Sequence, residues 1–399
     1  MNPKYNVPGV YRQDVDLKTQ PRLATGVPGL VGFARVETGE FNQPVAINRR
    51  GEFDARFKSR AGSYLADAVT GFFQNGGVRC YVVAADLGDN AEKAMHNDPT
   101  SSFVREEALK KALESLAPVT DIDLIAVPDA MTLKTSDTVW DVGGIIRVQR
   151  QMLQHCEKHG GRLAILDSLP GADVQAAKDQ RTSLGTGMKE PLNGALYFPW
   201  LKVPSTDLDG RRLVPPSGHV AGIFAKSDGR AGVFKAPANE EITGALDLEI
   251  VVDNPIQDQL NPEGINCLRA FPGRGIRVWG ARTISRDSEW RYVNVRRLFL
   301  TLQRWIELNM PWATFEPNTP QLWIRITREL SGYLDFVWRA GGLAGDSAEQ
   351  AYFVKCDGET NPPENREAGQ VATEVGMVPN KPAEFVVVRI THRIGVEPR

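Results

Sequence analysis

Tyr64-Leu-Ala-Asp-Ala-Val-Thr-Gly-Phe-Phe-Gln-Asn-Gly-Gly-Val-Arg-Cys-Tyr-Val-Val83 is the stretch whose reading decides the fold. Leu65, Ala68, Val69, Phe72 and Phe73 recur at helical steps and share one face. Asn75-Gly76-Gly77 stops that helix, and Cys80 to Ala85 then reads as a buried strand. Working outward, the same beat returns. Ser102 to Leu116 is helical and is followed by the strand Ile122-Asp-Leu-Ile-Ala-Val127. Val142 to His159 is helical and ends at Gly160-Gly161, before the strand Leu163-Ala-Ile-Leu166 and Asp167. Gly194 to Phe198 adds a further strand. Helix, glycine, apolar strand and acidic residue in repetition is the pattern of a parallel sheet covered by helices.

From Trp290 the character changes. Leu298, Leu302, Trp305 and Ile306 recur at helical spacing, and Leu322 to Arg339 forms a second long helix. Three strand candidates follow, at Ala351–Cys356, Val371–Val378 and Phe385–Ile390. Helices followed by strands point to an α+β unit. The expected fold is therefore α/β and multi-domain: a central, helix-covered, mostly parallel sheet with a C-terminal α+β domain and extended terminal arms. The expected organisation is an N-terminal arm at 1–20, an α/β region at 21–100, a central domain at 101–280, a C-terminal domain at 281–383 and a C-terminal arm at 384–399.

The chain has 399 residues, 42% hydrophobic and 24% charged, with a formal net charge of −2. No overall field draws such a molecule to nucleic acid or to an anionic membrane. No apolar run approaches the roughly 18 residues that span a bilayer, and the start lacks a secretory signal. Cys80, Cys156, Cys267 and Cys356 stand singly, which suits a reducing cytoplasm.

Chemistry is weakly signposted. Asp129 and Asp167 stand at strand ends, where α/β enzymes often place functional groups and where capping also needs acids. Ser217-Gly218-His219 pairs a nucleophile type with a base type, but spacing two builds no catalytic geometry, and there is no GxSxG. His155-Cys156-x-x-His159 puts two histidines on one helix face without HExxH or a third ligand. Neither a phosphate loop nor a Walker motif occurs. No catalytic, cofactor or metal residue is assigned; a hydrolase built on the Asp167/His219 region is the enzymatic alternative. Arg291, Arg296, Arg297 and Arg304, interleaved with Trp290, Tyr292, Phe299 and Trp305, suit a protein partner better than nucleic acid, with Arg325 and Arg328 extending that surface.

The two ends are telling in another way. Phe385, Val386, Val387, Val388, Arg389 and Ile390 form a short apolar strand near the C-terminus, and Tyr5 to Tyr11 is extended around Pro8 and Gly9. Strands with unpaired edges seek a partner, in their own sheet or in a neighbour's.

The chain resembles the tail sheath proteins of contractile phage tails and phage-tail-like contractile injection systems. The resemblance rests on Val7-Pro-Gly-Val-Tyr11, Gly26-Val-Pro28, Tyr64 to Val83, Arg274 to Thr283, Trp290 to Phe299, Asn309 to Asn318, Asn361-Pro-Pro363 and Lys381 to Phe385, in that order. It implies a non-catalytic central domain of subtilisin-like topology and stacked six-membered rings of this chain around an inner tube. It also implies arms, Val7, Pro8, Gly9, Val10 and Tyr11 at one end and Phe385 to Ile390 at the other, that add strands to neighbours. Inner tube, baseplate and terminal cap proteins are the implied partners, with no nucleic acid, no membrane insertion and no cofactor. The six arginines above become candidates for contact with the tube. Assembly in the bacterial cytoplasm is implied, in a particle that is then released or anchored; another tail or baseplate part is the structural alternative.

Overall fold

The computed structural model describes residues 23–89, 91–190, 192–205 and 210–384. Among these, one sheet of nine strands organises the molecule. In chain order they are β1 (Pro28–Gly32), β2 (Val45–Ile47), β3 (Cys80–Ala84), β4 (Leu124–Ala126), β5 (Leu163–Asp167), β6 (Gly194–Phe198), β7 (Glu240–Glu241), β8 (Ile265–Phe271) and β9 (Gly275–Trp279). Their order across the sheet is β7-β9-β8-β6-β5-β4-β1-β3-β2.

The expected subtilisin-like, mostly parallel sheet with a plain α+β appendage is corrected by this topology. The sheet is mixed. Parallel pairing runs from β8 to β3, with Leu196 opposite Ile265 and Leu30 opposite Val82. Both ends turn antiparallel: Ala46 faces Tyr81, Leu268 faces Val278 and Glu240 faces Val278. The hairpin of β8 and β9 closes through Pro272-Gly273-Arg274, with Gly273 at φ 70° and Arg274 N donating to Phe271 O at 3.0 Å. A turn that short permits only antiparallel strands. The repeating helix–glycine–strand signal reports the middle of the sheet and is blind to such edges.

Each face of the sheet carries its own core, as period-two alternation requires. Val31, Val83, Ile125, Leu166 and Leu196 face α2 (Pro99–Glu114), α3 (Val142–His159) and α4 (Val174–Gly185). Leu30, Val82, Leu124, Ile165 and Tyr197 face α1 (Leu65–Gln74) and α5 (Ser217–Ala231). Asp98, Asp141 and Asp173 cap α2, α3 and α4 through backbone N–H groups of the first turn.

The helix α6 (Val293–Asn309) joins this body to the C-terminal region. Its Val293 and Leu300 enter the core beside α5. Its Leu302 and Trp305 pack with Leu322, Ile326 and Leu330 of α7 (Pro320–Arg339), and Leu298 packs with Val337. A two-stranded antiparallel sheet, β10 (Tyr352–Lys355) and β11 (Glu374–Met377), covers the far side of α7. Among the described residues no helix is long and apolar enough to cross a membrane.

Candidate functional site

The described chain begins at residue 23 and ends at residue 384, and side chains between positions 282 and 304 tie down both of these roots. At the N-terminal root, Gly26 N and Val27 N donate to the two carboxylate oxygens of Asp123, at 3.0 and 2.7 Å. Asp123 precedes β4 and also receives Arg297 Nη2 at 2.7 Å. Arg297 then grips Asp228 of α5 with two nitrogens, Nη1 to Oδ1 at 2.7 Å and Nη2 to Oδ2 at 2.5 Å. About two turns further along α6, Arg304 donates to Ala24 O at 3.1 Å and to Thr120 O and Asp121 O at 3.2 and 2.9 Å. Gly26 sits at φ +70°, and a Cβ there would lie 2.4 Å from Ala225 Cα, so only glycine lets the root pass α5.

Arg297 is 2% exposed. Burial works against its charge, but Asp228 and Asp123 outweigh burial and hold its pKa above the usual arginine value. Burial likewise pushes the Asp228 carboxyl up while Arg297 pulls it down. With two N–H groups aimed at its oxygens, the ionised carboxylate is the form the geometry supports.

At the C-terminal root, Arg282 donates Nε to Glu384 Oε1 at 2.9 Å and Nη2 to Glu384 Oε2, and its Nη1 reaches Asn261 O at 2.8 Å. The Arg282 backbone is itself clamped by the Asn266 side chain of β8, which accepts from Arg282 N and donates to Arg282 O, both at 2.7 Å. On α6, Asn294 Nδ2 donates to Asn380 O at 3.0 Å and to Phe234 O at 2.8 Å. One helix and the loop before it therefore hold both roots to the body.

Residues 146–284 match the phage tail sheath protein central domain family, and residues 285–393 match the phage tail sheath C-terminal domain family. The solved helical sheath of the anti-feeding prophage in its contracted state is 31% identical, over 97% of this chain and 99% of that one, with a TM-score of 0.73. The chain belongs to the contractile tail sheath family. A sheath complex of an extracellular contractile injection system, also in the contracted state, is 28% identical over 98% of this chain and 99% of that one, with a TM-score of 0.71. The tail sheath protein of Burkholderia phage BcepMu is 29% identical over 152 residues, which are 36% of this chain and 31% of that relative. The chain thus spans about a third of that phage protein.

Within this sheath protein the six candidate arginines part company. Arg297 and Arg304, 2% and 5% exposed, are internal anchors, which corrects their expected place on a tube-facing surface. Arg296 is half-buried, with Nε on Asn193 Oδ1 at 2.6 Å and its guanidinium 4.5 Å from the Trp290 ring. Arg291, Arg325 and Arg328 are exposed; Arg325 lies 3.6 Å over the Trp312 ring. The helical spacing that suggested one basic face mixed inward and outward positions. The arm residues Val7 to Tyr11 and Phe385 to Ile390 lie outside the described residues.

The enzymatic alternative finds no support in the sheath protein's geometry. Asp167 and His219 are both sealed in the core at 2% exposure. Asp167 accepts Ser217 N at 2.7 Å and so holds the start of α5. Burial pushes its carboxyl up to about 7 and pushes His219 down to about 4. His219 packs against Gly71 of α1, where a Cβ would lie 2.3 Å from its Nδ1. Asp129 is a capping acid: it accepts Ser63 Oγ at 2.6 Å together with Phe33 N and Tyr64 N.

The His155/His159 pair acquires a third neighbour in Glu114, whose oxygens lie 3.8 Å from His155 Nδ1 and 3.9 Å from His159 Nε2. Arg162 Nη1 sits 2.6 Å from His155 Nε2. Because a guanidinium only donates, that contact makes Nε2 the acceptor and leaves the ring proton on Nδ1. Nδ1 then turns a proton, not a lone pair, toward Glu114, which is the chemistry of a charge cluster and not of a metal ligand.

Asp123, Asp228, Asn266, Arg282 and Asn294 are the anchoring residues that sequence reasoning missed. Asp123 carried a signal, being a lone polar residue inside the apolar strand run Ile122 to Val127.

Proposed function

We propose that this chain is the repeating subunit of a contractile sheath, polymerising as stacked six-membered rings around an inner tube and contracting to drive that tube through a target envelope. The observation that carries the mechanical part is the double anchorage at residues 282–304: Arg297 and Arg304 hold the N-terminal root, and Arg282 and Asn294 hold the C-terminal root. Pull on either root passes into α6 and from there, through Val293 and Leu300, into the core beneath α1 and α5. A subunit anchored in this way moves as a rigid piece while the links between subunits bend.

In this reading Val7 to Tyr11 and Phe385 to Ile390 are the links and add strands to neighbouring subunits. The small sheet of β10 and β11 suits such addition, since each strand pairs only with the other among the described strands. The exposed Arg291, Arg325 and Arg328 remain the tube-facing candidates, with baseplate and cap proteins as end partners. Assembly takes place in the bacterial cytoplasm, and the finished particle is released or anchored. Each subunit contributes only a few kcal/mol to contraction, because interfaces are bistable and many subunits act together.

Electron microscopy of tagged particles from the native source tests this function. Tubes that occur in a long narrow form and a short wide form, both carrying the tag, are the expected result. A discrete soluble oligomer absent from every tubular particle would overturn it.

A further inference from the structure

A cleft of about 360 Å³ opens beside the C-terminal root, between α4 and the segment from Arg282 to Arg291. Arg181, Arg282, Arg286 and Arg291 line it, together with Thr283 and Ser288. Arg282 is committed to Glu384 and Asn261. The other three have no ion pair among the described residues.

Arg181 is the unusual one. It is 9% exposed, makes no hydrogen bond or ion pair among the described residues, and leaves its Nε buried without a partner. Burial pulls its pKa down and Arg286 adds to that pull, against weaker support from Glu263 and Glu190. Neither acid pairs with it among the described residues. Glu190 accepts Ser285 Oγ at 2.6 Å, Leu192 N at 3.1 Å and Arg286 N at 3.2 Å, and Glu263 is exposed at the rim. Asp287, the remaining acid of the cleft, accepts Glu289 N at 2.9 Å.

A buried guanidinium with no acceptor among the described residues, facing a second arginine across a polar cleft, is a poor arrangement for an isolated subunit. The planar fork of Arg181 matches a group with two or three oxygens and a negative charge. We propose that this cleft is an oxyanion site, in which Arg181 receives a phosphate or carboxylate group and Arg286 and Arg291 close over it from the mouth. Two sources share that chemistry: free inorganic phosphate, or a carboxylate side chain presented by a second copy of this chain. The second source rests on the sheath reading.

The test uses the full-length chain and the double variant Arg286→Gln/Arg291→Gln, both exposed positions whose loss leaves the core intact, with Arg181→Gln as the inner probe. Thermal unfolding and calorimetry are run with millimolar phosphate against sodium chloride of equal ionic strength. Sheath formation is read in parallel by sedimentation and microscopy. If phosphate is the ligand, it raises the unfolding midpoint of the natural chain, and the variants bind it at least about tenfold more weakly, the loss expected for one charge-assisted hydrogen bond. If a neighbouring carboxylate is the ligand, phosphate changes nothing in the isolated subunit, while the double variant and Arg181→Gln both fold normally and no longer form sheaths; loss in the double variant alone points to tube contact through Arg291 and overturns the proposal. Absence of phosphate binding combined with unimpaired sheaths in all variants overturns the proposal. Should the natural chain itself form no tubes, the sheath reading fails, and the phosphate titration alone then decides whether the cleft binds an oxyanion.

Discussion

Arg297 of α6 and Asp228 of α5 meet in the core as a two-point ion pair, Nη1 to Oδ1 at 2.7 Å and Nη2 to Oδ2 at 2.5 Å, with Asp123 as a third member at 2.7 Å. That geometry links the strand layer, the helix beneath it and the N-terminal root in one contact. Replacing Arg297 by Ala leaves two acids buried without their partner. We expect Arg297→Ala to lower unfolding free energy by about 3–5 kcal/mol, the usual cost of breaking a buried pair. Arg297→Lys should also destabilise, since an ammonium cannot reach both oxygens of Asp228 in a fork. Urea denaturation measures both, and a change below about 1 kcal/mol would remove the pair from the list of anchors.

Arg304 is expected to act on the root and not on a partner. Arg304→Ala should raise amide exchange at Gly26 and Val27 in the isolated subunit, because Ala24 and the Thr120–Asp121 turn lose their shared donor. Unchanged exchange at those amides would contradict its role.

The exposed pair behaves oppositely. Arg325→Ala with Arg328→Ala should leave subunit stability within about 0.5 kcal/mol per site, as surface changes do. Co-sedimentation with purified inner tube should fall, and binding by the natural chain should itself weaken with added salt. Salt-independent binding that survives the double substitution would place the tube on another face.

Deleting residues 385–399 should leave a folded subunit that polymerises poorly, because every contact from Leu23 to Glu384 described above is retained. Normal long sheaths from the shortened chain, seen by microscopy, would show that the linking role assigned to Phe385 to Ile390 is wrong.

The buried acid at position 167 predicts a pH signature. Its carboxyl is raised to about 7, whereas an unfolded aspartate titrates near 3.9. The folded chain therefore holds the proton more tightly, and stability from this group is present at low pH and lost as pH rises through about 7. Asp167→Asn keeps an oxygen for Ser217 N but cannot ionise. Relative to the natural chain it should gain stability between about pH 4 and about pH 7 and level off above that, by up to a few kcal/mol at roughly 1.4 kcal/mol per pKa unit. Asp129 and His219 titrate in both proteins and cancel in the difference. A difference that does not change across that range would mean that Asp167 is ionised throughout.

Local pattern was enough for much of this. The run from Tyr64 to Val83 reads as helix, glycine stop and strand because its period changes from helical to extended across Asn75-Gly76-Gly77, and the folded chain has α1 and β3 there. Likewise Val142 to His159 needed only its spacing and the glycines that follow. The hairpin of β8 and β9 was illegible by that reasoning, since its antiparallel sense comes from a short turn and its sheet position from pairing with β6, which lies 69 residues earlier at Phe198↔Cys267 and cannot be read from neighbours. Candidate site residues divided in the same manner. Arg291, Arg296, Arg297 and Arg304 look alike in a row, and a rotation of one residue along α6 decides which is sealed against Asp228 and which meets solvent.

Periodicity and glycine placement by themselves put helices and strands near their observed places, because those properties depend on residues close together in the chain, and the ordered motifs carried the resemblance to tail sheath proteins. Only the tertiary structure decided that the sheet is mixed, that Arg297 and Arg304 are anchors, and that Arg181 is buried without an acceptor among the described residues. Each of those depends on groups brought together from distant positions, such as Arg297 with Asp123 across 174 residues, where burial removes water and makes every unpaired charge count.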